Sequence, residues 1–506
     1  MKVSTKAVGL LFFASLAAVA GSPTPGFNNL IPSEILTPDT VDTRIGTLQF
    51  FDGMPTPETT ALVYDHLDLI RGVEAFLNFV PAASVEGLRE GMQRIGIDSA
   101  SKCIIYKDLM DSNSLFLTGN TDTVYAICLL DLERDGPTVI EVPPGAGPGT
   151  VNDAFFRFVI DTGAPGPDRG KGGKYLILPP GFEGEVPDGY FSVTSPTFTN
   201  WVPLRAFLVD GKTDVAVKMW SEGLKIYPLA QTTNPPEMVF INGTGMEFNT
   251  IHANNYEFFV ELDKVIQKEP LDAFHPELRG LLSSIGMQKG KPFNPDERLK
   301  NTLTEAIAIG NATARALAFD PRSDSIYLYE DKYWYTAFDG GDHRWLRDQG
   351  NGGRYLDART LFFYIATVNT PAMVLKMVGA GSQYALNARD ASGEYLDGAK
   401  AYKLNIPADV PAKDFWSIVV YDPQTRSMLQ TDQPYPSKNN ERNRNLAVNP
   451  DGSTDLYFGP TVPSGHEANW IQTVPGKAWF LCLRLYGPLE PWFDETWKPG
   501  EIELLN

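Results

Sequence analysis

The sequence predicts an α+β, β-rich fold in which antiparallel sheets of the sandwich or barrel kind are flanked and bridged by helices. Three observations carry that class. From about Ser114 to Val209, short apolar runs (TVYAICLLDL, PTVIEV, FFRFVI, KYLILPP, YFSVTSP) alternate with Pro/Gly turns. The same texture returns late in the chain, in EYLDGAKAYKLNI, FWSIVVYD, STDLYFGP and AWFLCLRLYGP. Between the two tracts lie longer segments whose apolar residues recur at three- and four-residue steps, the helical period. Gly (45) and Pro (39) among 506 residues favour turn-rich strands over long helices.

The elements follow in order. Lys2 and Lys6 precede an apolar run, Val8–Ala20, too short to span a bilayer comfortably, and Ala18-Val19-Ala20 before Gly21 is the small-x-small pattern of a cleavage site. Residues 1–20 are therefore expected to be a signal peptide and the mature protein to be secreted or periplasmic. No later stretch approaches the ~18 apolar residues of a second span, so no stable membrane insertion is expected after cleavage. A Pro-rich lead (21–50) precedes a first β-rich domain (51–228). This domain opens with a helix over Glu58–Val80 and closes with one over Asp214–Tyr227. Residues 229–330 read as a helical bridge through Tyr256–Lys268 and Leu299–Phe319, too apolar for a free linker. A second β-rich domain (331–506) contains a helix over Asp357–Val378. Asp390-Ala-Ser-Gly393 and Asn449-Pro-Asp-Gly452 fit hairpin connections.

Bulk properties exclude some functions. With 43 basic and 62 acidic side chains the net charge is −19, which phosphate backbones repel, so no nucleic-acid partner is expected. Three cysteines argue against a disulfide scaffold, and whether Cys103 pairs with Cys128 is left open. Asn242-Gly-Thr244 and Asn311-Ala-Thr313 are glycosylation sequons, relevant only in a eukaryotic secretory pathway.

Ordered motifs carry a resemblance. Asn120-Thr-Asp122-Thr-Val-Tyr125, Asp131-Leu132, Gly136-Pro137, Gly173-Lys-Tyr175…Pro180-Gly181 and Pro187-Asp-Gly189 resemble DUF1254, with Arg205 similar to an arginine that follows. Tyr395-Leu-Asp-Gly398, Phe415-Trp-Ser417, Tyr421-Asp422, Asp451-Gly-Ser453, Asn469-Trp470 and Arg484-Leu-Tyr-Gly-Pro488 resemble DUF1214. Together the two halves span roughly residues 50–500. The resemblance implies two antiparallel β-sandwich or jelly-roll-like domains packed around helices, in a family of exported proteins without an established reaction.

Candidate chemistry centres on Asn120, Asp122 and Tyr125. In an extended segment Asn120 and Asp122 share one face and Tyr125 takes the other, so the first two can share a cation or a sugar hydroxyl. The competing reading is that these residues cap a turn. Arg157 and Asp161 are spaced for a salt bridge, and Arg157, Arg205 and Arg484 are each either a substrate anchor or a structural pair. No zinc spacing exists among His66, His252, His275, His343 and His466, although His252, His343 and His466 can still meet in space. G-x-S-x-G is absent, Val378-Gly-Ala-Gly-Ser382 and Pro463-Ser-Gly-His466 being near-misses, and so is a P-loop. The many aromatics either fill cores or stack on ligands.

Two functions follow. One is an exported hydrolytic enzyme with a site near the domain interface. There Asp122 is general base or cation ligand, Tyr125 a hydrogen-bond donor, and Asn120, Arg157 and Arg205 hold a small-molecule substrate. The other is a non-catalytic carbohydrate- or partner-binding protein. No metal site and no cofactor is named by the residues.

Overall fold

The computed structural model describes residues 31–505. The signal peptide expected over 1–20, and the first part of the Pro-rich lead, lie outside those residues. Up to Ile70 the described residues form one compact unit, containing a three-stranded antiparallel sheet of Thr40–Thr43, Gly46–Phe51 and Met54–Pro55. From Arg71 onward the chain forms a second unit of mixed α+β, strand-rich architecture.

The helix expected to stop at Val80 runs from Pro57 to Arg94, through Pro81. An internal proline costs about 3 kcal/mol through one lost hydrogen bond and a ring clash. Beyond it Ala82, Ala83, Val85, Leu88 and Met92 are all buried. Each large apolar side chain so covered contributes roughly 1.5–3 kcal/mol, so burial outweighs the proline.

Residues 102–242 build two sheets. A six-stranded sheet has the order Val239–Asn242, Lys102–Ile105, Thr123–Asp131, Thr199–Phe207, Pro148–Asp153, Phe158–Gly163. A four-stranded sheet holds Phe191–Thr194, Gly173–Leu178, Thr138–Val142 and Lys225–Pro228. One core joins them: Val124, Ala126, Cys128, Val202 and Leu204 from the first meet Ile140, Val142, Tyr175, Ile177 and Ile226 from the second. Strand alternation then sends Tyr125, Ile127, Trp201 and Arg205 to the opposite face. Cys103 and Cys128 form a disulfide across adjacent strands of the larger sheet. Two expectations are corrected here. The helix expected over Asp214–Tyr227 ends at Gly223 and gives way to a strand, and the expected helical bridge contributes Val239–Asn242 to the first domain's sheet.

The C-terminal region repeats the arrangement with two four-stranded sheets. One has the order Ser382–Asn387, Phe480–Pro488, Ala412–Tyr421, Ser437–Asn439, and the other Trp470–Gln472, Thr454–Gly459, Tyr402–Ile406, Ile502–Leu504. Their shared core contains Ala385, Ile418, Val420, Leu481, Leu483 and Leu485 facing Leu404, Ile406, Leu456, Phe458 and Ile471. Trp334, Trp345 and Trp479 are wholly buried, and Trp416, Trp492 and Trp497 nearly so, so most of the aromatic wealth of this half is core.

The helices Glu257–Lys268 and Glu297–Phe319 fall where periodicity puts them. The helix expected over Asp357–Val378 covers only Leu356–Ile365. Pro371 holds Thr370 extended (φ −151°, ψ 148°), and Val368 takes a left-handed backbone (φ 65°) that a β-branched residue rarely adopts. Among the described residues no helix is long and apolar enough to cross a membrane.

Candidate functional site

Two polar clusters lie where the two pairs of sheets meet, and they differ in kind. The first contains the Asn120–Tyr125 motif. Alternation does not apply to it as expected, because the strand begins only at Thr123 and the preceding residues form a bend. Asn120 Oδ1 accepts the Asp122 backbone N–H (3.0 Å) and the Thr123 hydroxyl (3.4 Å), which is the capping geometry of an Asx-turn. Its amide nitrogen donates to the Tyr125 hydroxyl at 2.6 Å.

Asp122 is 1% exposed. Its Oδ2 accepts from the Ser417 hydroxyl (2.6 Å) and the Tyr486 phenol (3.2 Å), and its Oδ1 accepts from the Asn439 amide (2.9 Å). All three donors come from the C-terminal sheet. The loop is tied down around it: Thr121 shares a hydroxyl hydrogen bond with Ser437 (2.6 Å), Arg442 donates to Thr121 O, and Tyr421 to Gly119 O. Expected as a base or cation ligand, Asp122 is held instead as an anchor between domains, with both oxygens occupied and outside the lining of the cavity described next.

The second cluster lines a cavity of about 350 Å³. Its walls come from the strands carrying Tyr125, Thr150, Asp161 and Arg205 on one side and Ser382, Tyr384 and Arg484 on the other. Residues 366–381 and the end of the helix Leu356–Ile365 complete it, with Phe116, Phe207, Phe338, Phe362 and Met373 supplying an apolar lining. Tyr125 sits directly opposite Arg205 in register, and Tyr384 directly opposite Arg484. Each sheet thus presents one cross-strand Tyr–Arg pair, since partners in register share a face.

The electrostatics of this cavity are unusual. Arg484 donates to Thr118 O (2.8 Å) and to the Tyr421 hydroxyl (2.6 Å), with its guanidinium 5.4 Å from the Tyr384 ring centre, while its Nε is buried without a partner. Arg205 has a long contact to Pro148 O (3.4 Å) and lies beside the Tyr384 hydroxyl. Neither arginine has a carboxylate within ion-pair distance among the described residues. Asp161 accepts from the Thr370 hydroxyl at 2.8 Å, but its Oδ1 is buried and unpartnered. Burial pushes its pKa up to about 6, against the pull of Thr370, Thr150 and Arg205. Cys482, also in the wall, is a free buried cysteine whose thiol burial pushes up to about 11.

Tyr125 and Arg205 are therefore brought together on the cavity, while Asn120 and Asp122 stand behind it and Arg157 lies elsewhere. Arg157 does not pair with Asp161: it binds Asp153 at 2.5 Å and Ala273 O, with 43% of its side chain exposed. The phenylalanine-rich bend explains the switch, because Phe156 takes a left-handed backbone (φ 53°) that curls Arg157 back onto Asp153. His252, His343 and His466 have separate surroundings, beside Arg426, Phe158 and Tyr457 respectively. Among the described residues no group of three possible ligands for a metal forms. Tyr384 and the unpaired oxygen of Asp161 were not singled out by sequence. The only signal was a lone arginine inside the apolar run FLCLRLYGP, whose strand neighbour Tyr384 is identified by pairing alone.

Comparison with known proteins identifies a family in each of the two regions. Residues 102–228 match DUF1254 and residues 381–490 match DUF1214, both described as protein families of unknown function. The chain carries a DUF1254 domain followed by a DUF1214 domain. The VPA0106 protein from Vibrio parahaemolyticus shares its fold, with a TM-score of 0.53 and 17% identity over 87% of this chain and 100% of that one. A putative uncharacterized protein from Burkholderia cenocepacia aligns over 88% of this chain and 97% of its own at 12% identity and a TM-score of 0.36. No curated protein matches. The cavity is thus walled by both the DUF1254 strands and the DUF1214 strands.

Proposed function

We propose that this is an exported protein that takes up a small, partly apolar molecule in the cavity between its DUF1254 and DUF1214 domains. One observation carries the reading: a mostly apolar cavity of about 350 Å³ contains a buried carboxylate, Asp161, with an unpartnered oxygen. Native interiors leave few such atoms unsatisfied, and ligand sites are concave, mainly apolar and furnished with a few convergent polar groups. The leader-like first twenty residues support export, and the charge of −19 argues against nucleic acid as the partner.

The test is a thermal-shift screen of small molecules on wild type and on Ala366→Trp, which places an indole in the cavity wall. Hits that stabilise wild type and vanish in the filled variant support the site. Hits that persist unchanged bind elsewhere and sink it.

Asp161 also favours a hydrolytic reading. A carboxyl group at about 6 can donate a proton near neutrality, and Ser382 shares its cavity. Among the described residues no histidine lines the cavity to activate that serine. With Asp161 as general acid, ester turnover falls as pH rises through about 6 and is lost in Asp161→Asn. A rate that rises through the same pH, or survives the substitution, excludes Asp161 as the acid.

A further inference from the structure

Arg205 and Arg484 line the cavity without a carboxylate at ion-pair distance among the described residues. Guanidinium groups are not deprotonated in proteins, and Arg484 is buried and Arg205 half-buried, a costly arrangement for a cation without a counter-charge. Each comes from a different domain, each is in register with a tyrosine, and both Tyr–Arg pairs face the same cavity. The electrostatic influence of both arginines reaches Tyr125. Tyr125 accepts from Asn120, so its own O–H is left to donate.

We propose that the ligand is an organic carboxylate, its head group held by the Tyr125–Arg205 and Tyr384–Arg484 pairs and its apolar body against Phe116 and Phe362. This rests on the cavity reading above. A carboxylate fits better than a bulkier polyanion for three reasons. Arg205 keeps a planar fork of donors suited to two oxygens. The buried Asp161 nearby disfavours a second negative charge. Most of the remaining wall is apolar, so it rewards a body without further polar groups. Each domain supplies half of the head-group site, so neither pair alone forms it.

Isothermal titration of the whole protein with decanoate, 2-naphthoate, 1-decanol and decylammonium tests this. We expect at least one acid to bind tenfold or more tighter than the alcohol and the amine. Arg205→Gln should abolish that preference by weakening the acid tenfold or more and the alcohol far less, and Arg205→Lys should restore part of it. Tyr384→Phe, which removes only a hydroxyl, should weaken the acid severalfold and serves if Arg205→Gln fails to fold. Asp161→Asn should tighten the acid by removing a neighbouring negative charge. Equal binding of alcohol and acid, or tighter binding of the amine, overturns the head-group assignment and leaves the cavity reading standing. If no probe binds, and Ala366→Trp changes nothing, both fall.

Discussion

The two polar clusters at the DUF1254–DUF1214 junction differ in how completely they are satisfied. Around Asp122 both carboxylate oxygens are matched by three neutral donors. Around Arg205 and Asp161 the inventory does not close, because two arginines lack a carboxylate and one carboxylate oxygen lacks a donor. The Asp122 cluster is almost wholly buried, whereas Arg205 and Tyr384 are half-buried at the cavity, so the two differ both in internal pairing and in access. A closed network fixes one arrangement of two surfaces, whereas an open one has capacity for something else. The motif most visible in the sequence belongs to the closed network.

Breaking the closed network has the largest expected effect. Asp122→Ala leaves the Ser417, Asn439 and Tyr486 donors unsatisfied in a dry interface, at about 3–5 kcal/mol if each orphaned group costs about 1–3 and the site relaxes in part. Asp122→Asn keeps the shape and should cost roughly half as much. Chemical denaturation measures both. Ligand binding by the folded fraction should be unchanged, and a stable Asp122→Ala protein that has lost only binding would move Asp122 into the site.

The open network predicts the opposite sign. The folded-state pKa of Asp161, about 6, lies above the usual 3.8, so between those values the folded protein holds a proton that the unfolded chain has released. That contribution therefore falls as pH rises from about 4 to 6 and stays lost above. Asp161→Asn removes the cost of a buried charge and should stabilise the empty protein by about 1–2 kcal/mol at pH 8, with the gain gone by pH 4. Denaturation curves at those two pH values decide it. A destabilised variant at pH 8 would mean that the Asp161 charge is compensated after all.

This contrast also marks what was legible in the sequence. The two β-rich tracts, the long helices and the DUF1254 and DUF1214 motifs follow from local patterning, and the folded chain has them. What local patterning misses is set by partners far away. Val239–Asn242 becomes a strand because the edge of Lys102–Ile105 is there to pair with it, and the segment after Ile365 leaves the helix where a cavity wall passes through Val368. Of the candidate site residues, Tyr125 and Arg205 reach the cavity because they alternate onto its face of two adjacent strands. Asn120 and Asp122 do not, because strand periodicity was extended two residues too far into a turn. Asp161 was visible only as a supposed partner for Arg157, and no local pattern says that its true neighbour is Thr370, more than two hundred residues on.

Arg157 provides the smallest test. Its guanidinium reaches Asp153 and Ala273 O, so it joins the end of one sheet to the helical region and touches neither cluster. Its side chain is 43% exposed and the ion pair is correspondingly screened, although Asp153 itself is fully buried and also accepts two backbone N–H groups. Those backbone donors remain when the side chain is cut away. Arg157→Ala leaves the buried Asp153 with those donors alone and should cost about 1–2 kcal/mol, read by denaturation at moderate salt, and leave carboxylate affinity within twofold of wild type. A large loss of affinity at unchanged stability would show that the ligand extends beyond the cavity to this edge, and would restore Arg157 to the substrate-anchor role that stood beside the structural pair.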